Sequence, residues 1–100
     1  MNSGNASGRP MPEKKLLEWS PRAQRNIEAI RDYITPDNPV AARSVLDEIC
    51  QAAERLRDFP MLGHPGRRSG TRELVLTRYP YILIYRLTQK RIGIVTVLHQ

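Results

Sequence analysis

The residues with the most chemical potential lie in the last forty positions. Arg67, Arg68, Arg72, Arg78 and Arg86 come in quick succession, with His64 and His99 at either end and Tyr81 and Tyr85 between them. Such a set could cleave RNA without a metal. A histidine or tyrosine would move the proton, and arginines would stabilise the charge building on the phosphorane. The same set could equally form a basic sheet that binds an anionic partner. Arg72 opens a strand and suits a phosphate, or an ion pair with Glu18 or Glu73. Arg86 interrupts an apolar strand between Tyr85 and Leu87, which points to a specific partner. His99 closes the last strand, as a general acid or a partly buried structural histidine. His64 reads as a turn residue, and Tyr81 and Tyr85, sharing a face, read as core.

Other chemistries are poorly served. There is no glycine-rich phosphate loop with its lysine, no nucleophile elbow and no histidine pair on a helix. One cysteine rules out an internal disulfide framework and a thiolate metal site, and two histidines argue against a protein-only zinc or iron centre. No metal and no cofactor are expected. Cys50, beside an apolar helical stripe, reads as a small core residue.

Charge is unevenly placed. The chain carries +6 overall. Residues 16–60 hold six basic and eight acidic side chains, whereas 61–100 hold seven basic ones against Glu73 alone, a net of +6. The excess is nearly all arginine, the better residue for bidentate contacts, so the second half reads as a face for nucleic acid, phosphate or an acidic protein segment. No stretch approaches the roughly 20 apolar residues of a membrane span, and the N-terminus has no signal-like apolar core. A cytoplasmic protein is expected.

These side chains must be positioned by a small set of elements. Residues 1–14 begin with the small, polar run MNSGNASGRP and read as a disordered extension, with Met11 as good a natural start as Met1. The domain is expected over 15–100. Leu16 to Trp19 read as a short edge strand. Ser20-Pro21 is a helix start, a capping serine before proline at the first helical position. Ala23, Ile27, Ile30 and Ile34 then form one apolar stripe, ended by Thr35-Pro36. Asn38-Pro39 repeats the start, and Ala42, Leu46, Ile49, Ala53, Leu56 and Phe59 form a second stripe, widened by Val45 and Cys50. MLGHPGRRSG, 61–70, reads as a basic loop. Three β-rich runs follow, at 72–77, 81–87 and 91–99. In the middle run both alternating faces are largely apolar, as for a central strand covered on both sides. The expected class is α+β: a helical hairpin packed on one face of a small antiparallel sheet, in the order β-α-α-β-β-β, with the first strand added at an edge.

The runs TRELVLTRYPYILIYRL and RIGIVTVLHQ closely resemble the C-terminal sheet of the RelE/ParE superfamily of bacterial toxins. LLEWSPRAQRNIEAIRDYI resembles that superfamily's first strand and helix, and DFPMLGHPGR its link from second helix to sheet. The resemblance spans Lys15 to Gln100 without a break. It implies the toxin of a type II toxin–antitoxin module, forming a hetero-oligomer with a small DNA-binding antitoxin whose acidic C-terminal segment wraps it. Arg67, Arg68, Arg72, Arg78 and Arg86 are then the expected contacts for antitoxin or target.

Within the superfamily, RelE-like members cut messenger RNA on the ribosome, and ParE-like members poison DNA gyrase. By position Arg72 matches the phosphate-binding arginine and His99 the late histidine of ribonuclease members, so a nuclease here would use Arg72, Arg86 and His99. However, Leu62 stands where some ribonucleases place a glutamate base, and Gln100 where others place a tyrosine. An acid without a base makes a poor nuclease, since the attacking 2′-hydroxyl must lose its proton. The resemblance therefore favours the ParE-like, non-enzymatic reading. A RelE-like endoribonuclease and a non-toxic antitoxin-binding module are the alternatives. Family members commonly run several residues past the last strand, which the ending at Gln100 does not.

Overall fold

Local chemistry sets both helix starts as the sequence predicts. In the computed structural model, which describes residues 14–100, Ser20 Oγ accepts the Ala23 N–H at 2.9 Å and Asn38 Oδ1 accepts the Ala41 N–H at 3.0 Å. Each cap is followed by proline in the first turn, so helices α1 (Pro21–Ile34) and α2 (Pro39–Asp58) begin where a missing N–H costs nothing. The strands are β1 (Leu16–Trp19), β2 (His64–Pro65), β3 (Thr71–Val75), β4 (Tyr81–Leu87) and β5 (Arg91–His99). The extension expected over 1–14 lies outside the described residues apart from Lys14, which is 3.6 Å from the Asp58 carboxylate.

One five-stranded sheet results, in the order β1-β5-β4-β3-β2. The β2–β3–β4–β5 ladder is antiparallel, and β1 joins the edge as expected, but parallel to β5. The segment 61–70, expected as a loop throughout, contains β2. Two residues there pair with Glu73 and Arg72, enough to anchor the loop against the sheet.

Both helices pack on one face. Tyr81, Leu83 and Tyr85 of β4 and Ile92, Ile94 and Val97 of β5 form the core with Ala23, Val45, Ile49, Ala52, Ala53 and Leu56. Ile27, Ile30 and Ile34 pack against it as the α1 stripe requires. Three expectations need correction. Cys50 is exposed, not core: it lies about 100° around the helix from Ile49, on the side of Asp47 and Glu54. Partial burial, then those two carboxylates, pushes its thiol pKa up. Phe59 is exposed because it caps α2 at φ −128°, ψ 69°, off the helical path that would continue the stripe. The third concerns β4. It is central, but among the described residues only one of its faces is covered, because α1 and α2 share that face; Ile82 and Ile84 point to the other and remain partly accessible.

A β-bulge adjusts β5 to α1. Ile84 pairs with Thr96 and Tyr85 with Ile94, leaving Val95 as the extra residue. The bulge is bonded to the helix: Ser20 Oγ donates to the Val95 carbonyl at 2.7 Å, and Asn26 Oδ1 accepts from Thr96 Oγ1 at 2.7 Å and from the Val97 N–H at 3.0 Å. Asn26→Leu leaves the buried Thr96 hydroxyl and Val97 N–H without their acceptor. The expected loss is about 2 kcal/mol of unfolding free energy, read from urea denaturation.

Candidate functional site

The uncovered face of the sheet carries a groove of about 490 Å³. Its apolar lining comes from Ile82, Ile84, Val95 and Leu98, and its rim from Arg22, Arg67, Arg68 and Arg86 with Glu73 as the lone carboxylate. None of these four guanidiniums forms an ion pair among the described residues. Four free cations around an aliphatic floor suit an amphipathic, acidic occupant.

Each arginine is brought there by a separate device. Arg86 follows Tyr85 on β4, and strand alternation turns it away from the core. Arg67 and Arg68 sit on the turn between β2 and β3, which is tightly bonded: Thr71 Oγ1 donates to the Arg68 carbonyl at 2.7 Å, and the Gly66 N–H to the Thr71 carbonyl at 2.8 Å. Glu73 accepts the Arg67 backbone N–H at 3.2 Å, so its carboxylate orders the loop and leaves the guanidinium free. Gly70 closes the turn at φ +81°, where any other residue would be strained. Arg22 arrives from the first turn of α1, which the Ser20–Val95 bond ties to the bulge. Sequence reasoning missed Arg22, because on a helical wheel it belongs simply to the polar face.

Of the other expected site residues, His99 also lines this groove, whereas Arg72 and Arg78 are elsewhere. Arg72 pairs with Tyr85 and so faces the helix side. Its Nε donates to the Gly63 carbonyl at 3.1 Å, and its Nη2 reaches the same oxygen and that of Met61. It does not meet Glu18, which pairs with Arg91. Arg78 lies 5.5 Å over the Tyr79 ring, in the turn at the other end of β4. His99 pairs with Tyr81, its ring edge-on at 5.3 Å, and is exposed. Tyr85 lies four positions along β4 from Tyr81, so His99 and Arg72, which pair with them from either side, are offset by about 13 Å along the strand direction. Arg86 and His99 thus line one groove from opposite ends of β4, while Arg72 is held on the helix side, so the three do not converge on one point. Burial, then Tyr33, pushes the Tyr81 phenol above its ordinary value, which takes it further from a base at neutral pH. Among the described residues no group of three or more His, Cys, Asp or Glu side chains is placed to hold a metal.

Tyr85 supports the site from below. Fully buried, it donates its hydroxyl to the Pro60 carbonyl at 2.8 Å and accepts the Gly63 N–H at 3.0 Å. A methyl on Gly63 would lie 2.6 Å from the Glu73 carbonyl oxygen and 2.8 Å from that hydroxyl, so only glycine fits.

Similarity to known proteins converges on one group. Residues 17–100 match the family model described as the ParE toxin of type II toxin–antitoxin systems. Over 86 residues the chain is 42% identical to the toxin-designated protein Y4kP of Sinorhizobium fredii, covering 86% of this chain and 88% of that one. Toxin RelE2 of Caulobacter vibrioides is 33% identical over 81 residues, 81% of this chain and 90% of its own. Among solved structures, a chain of the chromosomal ParDE system of P. aeruginosa superposes with a TM-score of 0.77 at 25% identity, over 86% of this chain and 96% of that one. A chain of the Mycobacterium tuberculosis RelBE2 complex shares the fold, with a TM-score of 0.63 at 22% identity over 87% and 99% of the two chains.

Proposed function

Because this chain belongs to the ParE toxin family of type II toxin–antitoxin systems, we propose that it poisons DNA gyrase in the cytoplasm when free, and is silenced when an acidic, amphipathic antitoxin segment fills the arginine-rimmed groove. A toxin of such a system is neutralised by a cognate antitoxin, and the groove has the chemistry to receive one. Aliphatic side chains of the segment would cover Ile82, Ile84 and Leu98, while its carboxylates meet Arg22, Arg67, Arg68 and Arg86. A segment that folds as it binds loses ordering entropy, yet gains a large buried surface.

The observation that carries the gyrase reading is the dispersal of the ribonuclease candidates. A general base must lie within roughly 3 Å of the proton it removes. Arg72 is committed to the Met61 and Gly63 carbonyls on the helix side, and Arg86 and His99, though both line the groove, stand at opposite ends of β4, His99 beside Tyr81. Leu62 and Gln100 add no proton acceptor of the required kind at either family position.

Expression without the antitoxin tests the reading, with DNA and messenger RNA followed in parallel. Gyrase-trapped breaks and an induced DNA-damage response, with intact message, are expected. Codon-positioned message cleavage with undamaged DNA would instead establish the ribosome-dependent nuclease, and absence of growth arrest would leave an antitoxin-binding module. His99→Ala sharpens the contrast. It is expected to arrest growth as the wild type does, whereas a nuclease using His99 as acid would lose about 100-fold or more in cleavage rate.

A further inference from the structure

We propose that the turn Phe59–Leu62 is the surface through which the toxin grips its protein target, a folded partner offering an apolar pocket with an acidic rim, and that this surface is separate from the antitoxin groove. The identity of that target as gyrase rests on the reading above; the surface itself does not.

The turn is closed by the Leu62 N–H donating to the Phe59 carbonyl at 3.0 Å, with Pro60 at its second position. Phe59, Met61 and Leu62 project from it at 62%, 65% and 48% exposure. Three large apolar side chains on four consecutive residues form an exposed patch rather than scattered single contacts. Their backbone is nevertheless held rigidly. Tyr85 bonds both Pro60 and Gly63, Arg72 bonds Met61 and Gly63, and Gly63 packs against the Glu73 carbonyl. A buried tyrosine hydroxyl and an arginine thus immobilise a loop whose own side chains contribute little to the core. Such preorganisation lowers the entropy lost when an aromatic and a thioether anchor enter a partner's pocket.

Charge indicates what surrounds that pocket. The nearby carboxylates are already occupied: Asp58 by Lys14 at 3.6 Å and Glu54 by Arg57 at 3.2 Å. Arg55, one helical turn before Phe59, has no ion-pair partner among the described residues, and Arg72 is bonded only to neutral carbonyls. The uncompensated charge at the rim is therefore positive, and the complementary partner is acidic there. Position separates this surface from the groove. Tyr85 and Arg72, which hold the turn, face the helix side, whereas the groove lines the opposite face.

The test uses the full chain carrying Phe59→Ser with Met61→Ser, and separately Arg55→Glu, which keeps the apolar patch and reverses the rim. Both variants are expected to melt within a few degrees of the wild type and to bind the antitoxin with unchanged affinity. Growth arrest on antitoxin-free expression should be lost, and affinity for purified gyrase should fall roughly 30-fold for the double variant, as for hot-spot anchors. Retained arrest with retained gyrase affinity overturns the proposal. So does a selective loss of antitoxin affinity, which would make the turn part of the antitoxin interface. A wild-type dimer dispersed by the substitutions, seen by sedimentation, would assign the turn to a second copy and overturn it too. If the wild type arrests growth without binding gyrase, the gyrase reading fails alone: loss of arrest in a folded double variant then still supports the turn, and persistence refutes it.

Discussion

Replacing Arg68 and Arg86 together by glutamate is expected to weaken the complex with the cognate antitoxin more than a hundredfold, with little change in the toxin's own melting temperature. Both guanidiniums line the groove and neither has an internal carboxylate partner among the described residues. Reversal removes two attractions and substitutes two repulsions. Close interfacial charge pairs are worth roughly 2 kcal/mol or more each when desolvated, and about 1.4 kcal/mol is tenfold in Kd. Isothermal titration at two salt concentrations checks the prediction: wild-type affinity should drop as salt rises, and the variant's dependence should flatten. An unchanged Kd would remove the groove as the antitoxin's seat. Arg72→Gln provides the contrast. Since Arg72 holds the Met61 and Gly63 carbonyls, its loss should appear mainly as lower stability.

Tyr85→Phe is expected to lower the unfolding free energy by about 2 kcal/mol, a fall of roughly 10 °C in Tm for a domain of this size. The ring would still fill the core, so almost no apolar contact is lost. What disappears is the hydroxyl that satisfies the buried Gly63 N–H and one of the carbonyls of the turn, that of Pro60. The orphaned N–H lies against the Glu73 segment, where packing too tight for a methyl group also leaves little room for a replacement water. Thermal denaturation followed by far-ultraviolet dichroism gives the loss directly. A variant that melts with the wild type would show that the turn finds its own solvation. Binding to the antitoxin, which we propose seats in the groove on the other face, should change far less than binding to the target.

Much of this architecture was legible in local chemistry. Ser20-Pro21 and Asn38-Pro39 each place a side-chain acceptor over an open helix end and a residue lacking an N–H just after it, and both helices start there. Tyr81–Leu87 and Arg91–His99 have the bounds expected from their β-branched and aromatic runs. The strand-helix-helix-strand order and the basic character of the sheet end were likewise apparent. The candidate site was legible only in part: Arg67, Arg68 and Arg86 were expected and do converge, Arg22 was not, and Arg72 and Arg78 were expected yet lie elsewhere.

What the sequence determined by itself, then, is everything that depends on neighbours within a turn or a strand: caps, stripes, alternation and charge density. The shared face of Tyr81 and Tyr85 read as core from the sequence, but tertiary structure alone decided that the helices leave the other face of β4 open, and hence that Ile82, Ile84 and Arg86 border a groove. A strand largely apolar on both sides carries no mark of whether one side or both will be covered. That choice follows from the path of α1, tied to the β5 bulge by Ser20 and Asn26 across 70 to 75 residues of chain. The same long-range pairing separates Arg72 from Arg86. Arg72 is opposite Tyr85 and Arg86 is one residue further on, so the pleat alone puts one under the turn and the other in the groove.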